Sequence, residues 1–415
     1  MAALQLSRDG QADDVYTKPS PLAMQILRHS QISVTMKVHS EVSSEDTRKA
    51  LNRLMIVWTR YFPAVQDRKD HCPIAGVALY LRRSVGVMIG MTLWERRLHQ
   101  RGSASGLAVA EDCVVVHERH TRLVCLNRSD GSVRWDIPIG TWPRGVVVAG
   151  DRCLCLTQNN DQLSCIDLTT GSLVWRVGLR PYSGHVVATR ETVIVGGWRG
   201  YTPIAGFNLD DGRPLWLTPH RMDAVLPLPW GSGVLLGSGT KAWLIDPREG
   251  RELRRWQLPE PLADTDNRPA FTLIDPDRCL ALCGPRSIAA IQSSSDLVSR
   301  LFRHDADLMA SAALFTGGVV LLEERGAGYV AVDPEYGSAL WNVDVGQPLT
   351  KGVGLDDKGF VLVSQGGVLF RLRSDGHVLE RSSSGTRVTA LLDLGAGEMI
   401  MMTKGTLRMT VIDPR

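Results

Sequence analysis

The 415-residue chain has no membrane-length apolar run. A membrane-crossing helix needs ~18–20 such residues, so a helical membrane span is not expected. The N-terminus, MAALQLSRDGQADD, lacks the basic-then-apolar layout of a signal peptide. Arg82 and Arg83 precede SVGVMIGMTLW in a faint likeness to a twin-arginine export signal, but Glu95, Arg96 and Arg97 cut it short. Lysine is scarce: eight of the 47 basic residues are Lys and the rest are Arg. A one-signed charge is missing too. Residues 1–85 hold 12 basic and 8 acidic side chains, which leaves 35 and 36 for the remainder. So neutral a body gives no electrostatic reason to expect nucleic acid or an anionic membrane as partner. No GxSxG, Walker loop or HExxH occurs. Cysteine is sparse, and Cys113, Cys125, Cys153, Cys155, Cys165, Cys279 and Cys283 sit in apolar strand-like runs. They read as reduced core thiols in a cytoplasmic, bacterial protein. A composition of 44% hydrophobic and 22% charged residues excludes wholesale disorder.

What the chain does have is a repeat. LVCLNRSDGSVRW ends at Trp135 and LSCIDLTTGSLVW at Trp175. IAGFNLDDGRPLW ends at Trp216, AWLIDPREGRELRRW at Trp256 and YVAVDPEYGSALW at Trp341. Each is an alternating apolar run, an Asp or Asn, a Gly, then a Trp. The step is roughly 40 residues, a propeller-blade period. Two copies are degenerate: SIAAIQSSSDLVSRLF lacks Gly and Trp, and LFRLRSDGHVLE has Glu380 at the Trp position. A second apolar strand precedes every copy, from DCVVVHE to GEMIMMTK, which gives eight units. The Gly suits a tight turn, and the Trp offers a large apolar body to pack between blades.

The last copy stops before its Gly-and-Trp strand. Gly90 to Trp94 has the same spacing at the other end, 41 residues before Trp135. An N-terminal strand completing the C-terminal blade closes the ring and removes two exposed edges. The expected fold is therefore all-β: an eight-bladed propeller over residues 86–415, with Trp94, Trp135, Trp175, Trp216, Trp256 and Trp341 as structural blade tryptophans.

The Asp–Gly–Trp pattern resembles the PQQ-like propeller repeat. That repeat builds rings in quinoprotein dehydrogenases and in the lipoprotein subunit of the outer-membrane β-barrel assembly machine. It also builds sensor domains fused to some bacterial Ser/Thr kinases. The resemblance implies the ring and not one activity, because a fold hosts many functions. Bound PQQ usually needs a carboxylate-held Ca²⁺, an acidic base and planar packing partners. The chain has no adjacent Cys pair, and its ring is much shorter than those of quinoprotein alcohol dehydrogenases. No cofactor is expected.

Residues 1–85 form a separate extension, partly helical where SEDTRKALNRLMIVW follows Ser44. Residues 21–54 resemble the C-terminal end of phage-type tyrosine recombinases. Leu27-Arg28-His29 and Thr35-Met36 match, and His39 stands where the nucleophilic Tyr belongs. A His cannot form the phosphotyrosyl link, so the segment reads as a remnant, or as the product of a start placed too early.

Metal signals are weak. His117-x-x-His120 reads as two solvated histidines, and Asp264-x-Asp266 and His304-Asp305-x-Asp307 match neither EF-hand nor RTX spacing. No metal site is assigned. One face is richer. The loops between blades, and those between second and third strands, lie together around one channel mouth. They carry Trp142, Arg144, Arg180, Tyr182, His185, Trp198, Arg199, Tyr201, His220, Arg221 and Asp223. Asp264, Asp266, Arg268, His304, Asp305 and Asp307 follow. The long turn GGWRGYTP is expected to expose Trp198 and Arg199. Aromatics with Arg on loops favour binding. The expected function is a non-catalytic scaffold: a monomeric ring that recognises a protein or peptide. The alternatives are a propeller enzyme, biosynthetic and using loop His and Asp, or a PQQ-dependent dehydrogenase.

Overall fold

Every repeat unit folds as a four-stranded antiparallel blade, and there are eight of them. The computed structural model describes residues 90–412, apart from 100–103, 119, 264–268, 310–312, 327, 347–348 and 356–358. The extension, its recombinase-like segment and His39, together with Asp264, Asp266 and Arg268, lie outside the described residues. Blade 1 is typical, with strands Leu107–Val109, Cys113–Glu118, Arg122–Asn127 and Val133–Pro138 in spatial order. Blades 2 to 7 follow over residues 143–178, 186–217, 228–257, 271–303, 314–344 and 349–383.

Blade 8 takes three strands from Val388–Asp393, Glu398–Thr403 and Thr406–Val411. Its fourth is Met91–Arg97, which pairs antiparallel with the last, Met91 opposite Val411 and Arg97 opposite Thr406. The ring closes as the repeat phase predicted, and the twin-arginine-like stretch runs into this strand. Arg408 pairs with Glu95 across the seam. Arg96 reaches the fully buried Glu118 of blade 1 at 2.5 Å.

Buried apolar side chains group into eight clusters, one at each blade interface. Side chains alternate across a strand, so Val114 and Val116 face blade 8 while Cys113 and Val115 face blade 2. Both faces of a blade are covered, which is why the second and third strands read as unbroken apolar runs. The seven described cysteines are all buried and unbonded in these clusters. Burial pushes the Cys155, Cys165, Cys279 and Cys283 thiols up to about 12.

The repeat motif now has a mechanism. The Asp or Asn caps its own turn: Asp167 Oδ1 accepts the backbone N–H of Thr169 at 3.1 Å and of Thr170 at 2.8 Å. Gly171 follows at φ +75°, and a Cβ there would lie 2.8 Å from the Trp135 ring. Only Gly both turns the chain and leaves room for that indole. Each indole N–H donates to a carbonyl in the next blade's turn: Trp94 to Arg128 at 2.7 Å, Trp135 to Leu168 at 2.8 Å, Trp175 to Leu209 at 2.8 Å. Trp216, Trp256 and Trp341 do the same with Pro247, Ser295 and Ser374.

One exception follows from the same geometry. Glu380 of blade 7 stands opposite Arg371 instead of a Trp. Its neighbour is blade 8, whose last two strands come from distant parts of the chain, so no tight turn waits there for an indole. Blade 4 adds a tryptophan that the repeat does not mark. Trp230, on its innermost strand, donates to Pro276 O at 2.8 Å and packs 5.8 Å from Trp256.

Candidate functional site

In an antiparallel four-stranded blade the turns alternate between two faces. The tryptophan-receiving turns lie on one, and the inter-blade loops lie on the other. The second face carries the described candidate residues, which separate there into two groups.

The first group belongs to blades 2 and 3. Trp142, Tyr182 and Tyr201 are exposed by 62%, 53% and 45%. Trp198 is not: it is 7% exposed, which corrects the expectation of an exposed hot spot. Gly196 and Gly197, at φ +112° and +86°, fold the GGWRGYTP turn back on itself. The single 3-10 turn Trp198–Gly200 then drops the indole beneath its neighbours. The Arg144 guanidinium carbon lies 4.0 Å from the Trp198 ring centroid and that of Arg199 lies 5.0 Å away. Tyr201 meets Trp198 edge-on at 5.4 Å and Tyr182 at 5.5 Å. Trp198 is the support of the cluster and the tyrosines are its surface.

Side chains and backbone fasten these loops together. Arg144 Nε donates to Gln158 Oε1 at 2.6 Å, and the Gln158 N–H donates to Trp142 O at 3.1 Å. Asp161 accepts the Tyr182 N–H at 3.2 Å. His185 is buried, not on the surface as expected; its Nε2–H donates to Ala224 O at 3.0 Å. The Ala224 N–H in turn donates to Gly197 O at 2.8 Å. Arg180, His220, Arg221 and Asp223 are exposed around the cluster.

The backbone here is unusual. Among the described residues, seven non-Gly residues have positive φ, and Trp142, Asp161, Tyr182, His185 and Arg199 are five of them. Such conformations cost of order 1–3 kcal/mol each and persist where the surroundings over-determine them.

The second group belongs to blades 5 and 6, and it is built from ion pairs. His304 Nε2 bonds Glu324 Oε1 at 2.8 Å. Arg286 Nε donates to Asp307 Oδ1 at 2.7 Å, and this bond holds the Asp307 carboxyl below its ordinary range. Glu260 receives Arg300 at 3.3 Å and Arg303 at 3.4 Å. Asp305 is exposed beside them. Phe302, stacked on His304, is the only aromatic ring that the described ring contacts place in this group.

The HxxH pair also departs from its reading as two solvated histidines. His120 is exposed, but His117 is buried and its Nε2–H donates to Gly140 O at 2.8 Å. It props the loop that carries Trp142. Burial lowers its pKa, with a smaller push from His120. Together with Gln158 and Asp161 it is a positioning residue that motif reading missed. Its only sequence signal is a His near the end of an otherwise apolar strand. Among the described residues, no group of three or more His, Cys, Asp or Glu side chains is placed to hold a metal ion.

Residues 84–225 and 140–274 match the family model described as outer membrane protein assembly factor BamB, with PQQ-like repeats. The match begins at residue 84, so the recombinase-like segment lies outside it. No curated protein sequence matches the chain. BamB from Moraxella catarrhalis is similar in structure, with a TM-score of 0.64 and 18% identity over 78% of this chain and 97% of that one. The computationally designed Ika8 protein gives 0.63 at 14% identity, over 78% of this chain and all of Ika8. Saccharomyces cerevisiae Sqt1 gives 0.63 at 9% identity with the same coverage. At these identities the likeness carries the fold alone. A designed protein scoring alongside two natural ones makes the point directly.

Proposed function

We propose that the chain is a non-catalytic scaffold that docks a protein or peptide partner on the loops of blades 2 and 3. The observation that carries this reading is the conjunction of exposed aromatics with strained, fastened backbone. Trp142, Tyr182 and Tyr201 present large apolar surface on loops whose conformation is fixed beforehand. Preorganised aromatic anchors bind at low entropic cost. The matched family's description as an assembly factor supports a role in holding proteins together. No helix among the described residues is long and apolar enough to cross a membrane. The seven buried thiols support a reducing compartment, the cytoplasm, as the place of work. The reading assigns a monomeric ring and no quinone cofactor. Added PQQ and Ca²⁺ should then give no saturable absorbance change.

The main test is affinity capture from the native host with the full chain as bait. Replacing Trp142, Tyr182 and Tyr201 by Ala should abolish recovery of the partner. Tyr336→Ala changes a still more exposed aromatic in a turn on the other face and should leave recovery intact. Equal recovery with both baits defeats the proposal.

A further inference from the structure

We infer that the partner segment received by this face is acidic: an extended stretch of polypeptide with Asp or Glu beside an apolar side chain. The inference rests on the docking face proposed above and adds its charge. The loops of blades 2 and 3 hold four arginines, Arg144, Arg180, Arg199 and Arg221, against two aspartates, Asp161 and Asp223. This excess is local and not compositional, because residues 86–415 carry 35 basic and 36 acidic side chains.

Two of the arginines are also held in place. Arg144 and Arg199 both stack on the buried Trp198 ring, at 4.0 and 5.0 Å. Stacking fixes the guanidinium plane, and a fixed planar fork suits a carboxylate far better than a mobile ammonium does. The exposed tyrosines beside them supply the apolar contact. In blades 5 and 6 Arg286 pairs with Asp307, and Arg300 and Arg303 lie against Glu260.

Arginine with exposed aromatics also suits single-stranded nucleic acid, which needs faces for base stacking and a long basic track. The loops of blades 2 and 3 offer four arginines and no long basic track. Tyr182 and Tyr201 are tilted by 54°, which leaves no parallel slot for a base. No Lys occurs between Lys69 and Lys241.

The test titrates the full chain with fluorescein-labelled synthetic peptides, read by anisotropy. One has Phe flanked by Glu, one has Phe flanked by Lys, and oligo-uridylate is the nucleic-acid probe. Only the Glu–Phe peptide should saturate, and its affinity should fall steeply with added salt. Arg180→Glu with Arg199→Glu should weaken it by about tenfold or more with melting unchanged, and Arg221→Glu should act in the same direction. Equal binding of the Lys–Phe peptide, tighter binding of oligo-uridylate, no saturation by any peptide, or indifference to charge reversal would overturn the inference. A partner captured through Trp142 and Tyr201 but indifferent to salt and charge reversal would overturn the acidic segment and leave the docking face standing. Capture that ignores those aromatics defeats the face itself.

Discussion

The loops of blades 2 and 3 and those of blades 5 and 6 occupy the same face of one ring, and both are rich in arginine. They differ in what the arginine does. In blades 5 and 6 Arg286 meets Asp307, and Arg300 and Arg303 share Glu260. The backbone there needs no unusual conformation, and every described non-Gly residue of those blades has negative φ. In blades 2 and 3 arginine lies on an indole, and the loops hold five non-Gly residues at positive φ. The first arrangement is built from ion pairs. The second spends conformational energy to keep three aromatic rings exposed. Arginine is common to both regions; strained backbone beside exposed apolar area sets blades 2 and 3 apart, and the proposed docking face rests on that difference.

The contrast can be broken most forcefully at Trp198. Trp198→Ala removes the buried support of the aromatic side and should cost about 3–5 kcal/mol in urea unfolding. A loss below ~1 kcal/mol would mean that the cluster is not held from beneath. Next comes Trp142→Ala, which should leave stability within ~0.5 kcal/mol yet weaken partner binding by about 2 kcal/mol, roughly thirtyfold. Calorimetric titration with the captured partner reads both. On the ion-paired side, Arg286→Ala should change stability by ~0–1 kcal/mol and binding not at all. Lost binding in that variant would erase the distinction between the two regions.

The smallest effect concerns pH and falls on the aromatic side. Burial lowers the His117 pKa in the folded chain, so the unfolded chain binds more protons near the unfolded value of ~6.5. Stability should therefore fall as pH drops through that value and level off below the folded pKa. His117→Gln keeps an amide donor for Gly140 O and removes the titration. Its melting temperature should lose less than that of the parent between about pH 7.5 and 5.5. Equal losses would place the acid sensitivity elsewhere.

The ring was legible because its signals are local and repeated. A turn capped by Asp167 and opened by Gly171 fixes the distance to the next indole, so blade geometry is written into residue spacing. The seam was legible for the same reason, since Trp94 keeps that spacing without a turn before it. The site was less so. Trp142 and Trp198 look alike in sequence, each in a loop with a nearby Arg. One is exposed and the other buried because two glycines reverse the chain before Trp198 and Arg144 arrives from another blade. His185 looks like a surface residue until its ring meets Ala224 O, 39 positions away. The pairing of His304 with Glu324 depends on how two blades abut, and no spacing within either one encodes it.

Site-specific photo-crosslinking tests the central claim most directly. A benzophenone amino acid is placed at Tyr201 in one full-length protein and at Tyr336 in another, and each is irradiated in the native host. Both positions are exposed, but they lie on opposite faces of the ring. The account predicts one discrete cross-linked partner from position 201 and none from position 336. The same partner from both positions, or from 336 alone, would contradict it.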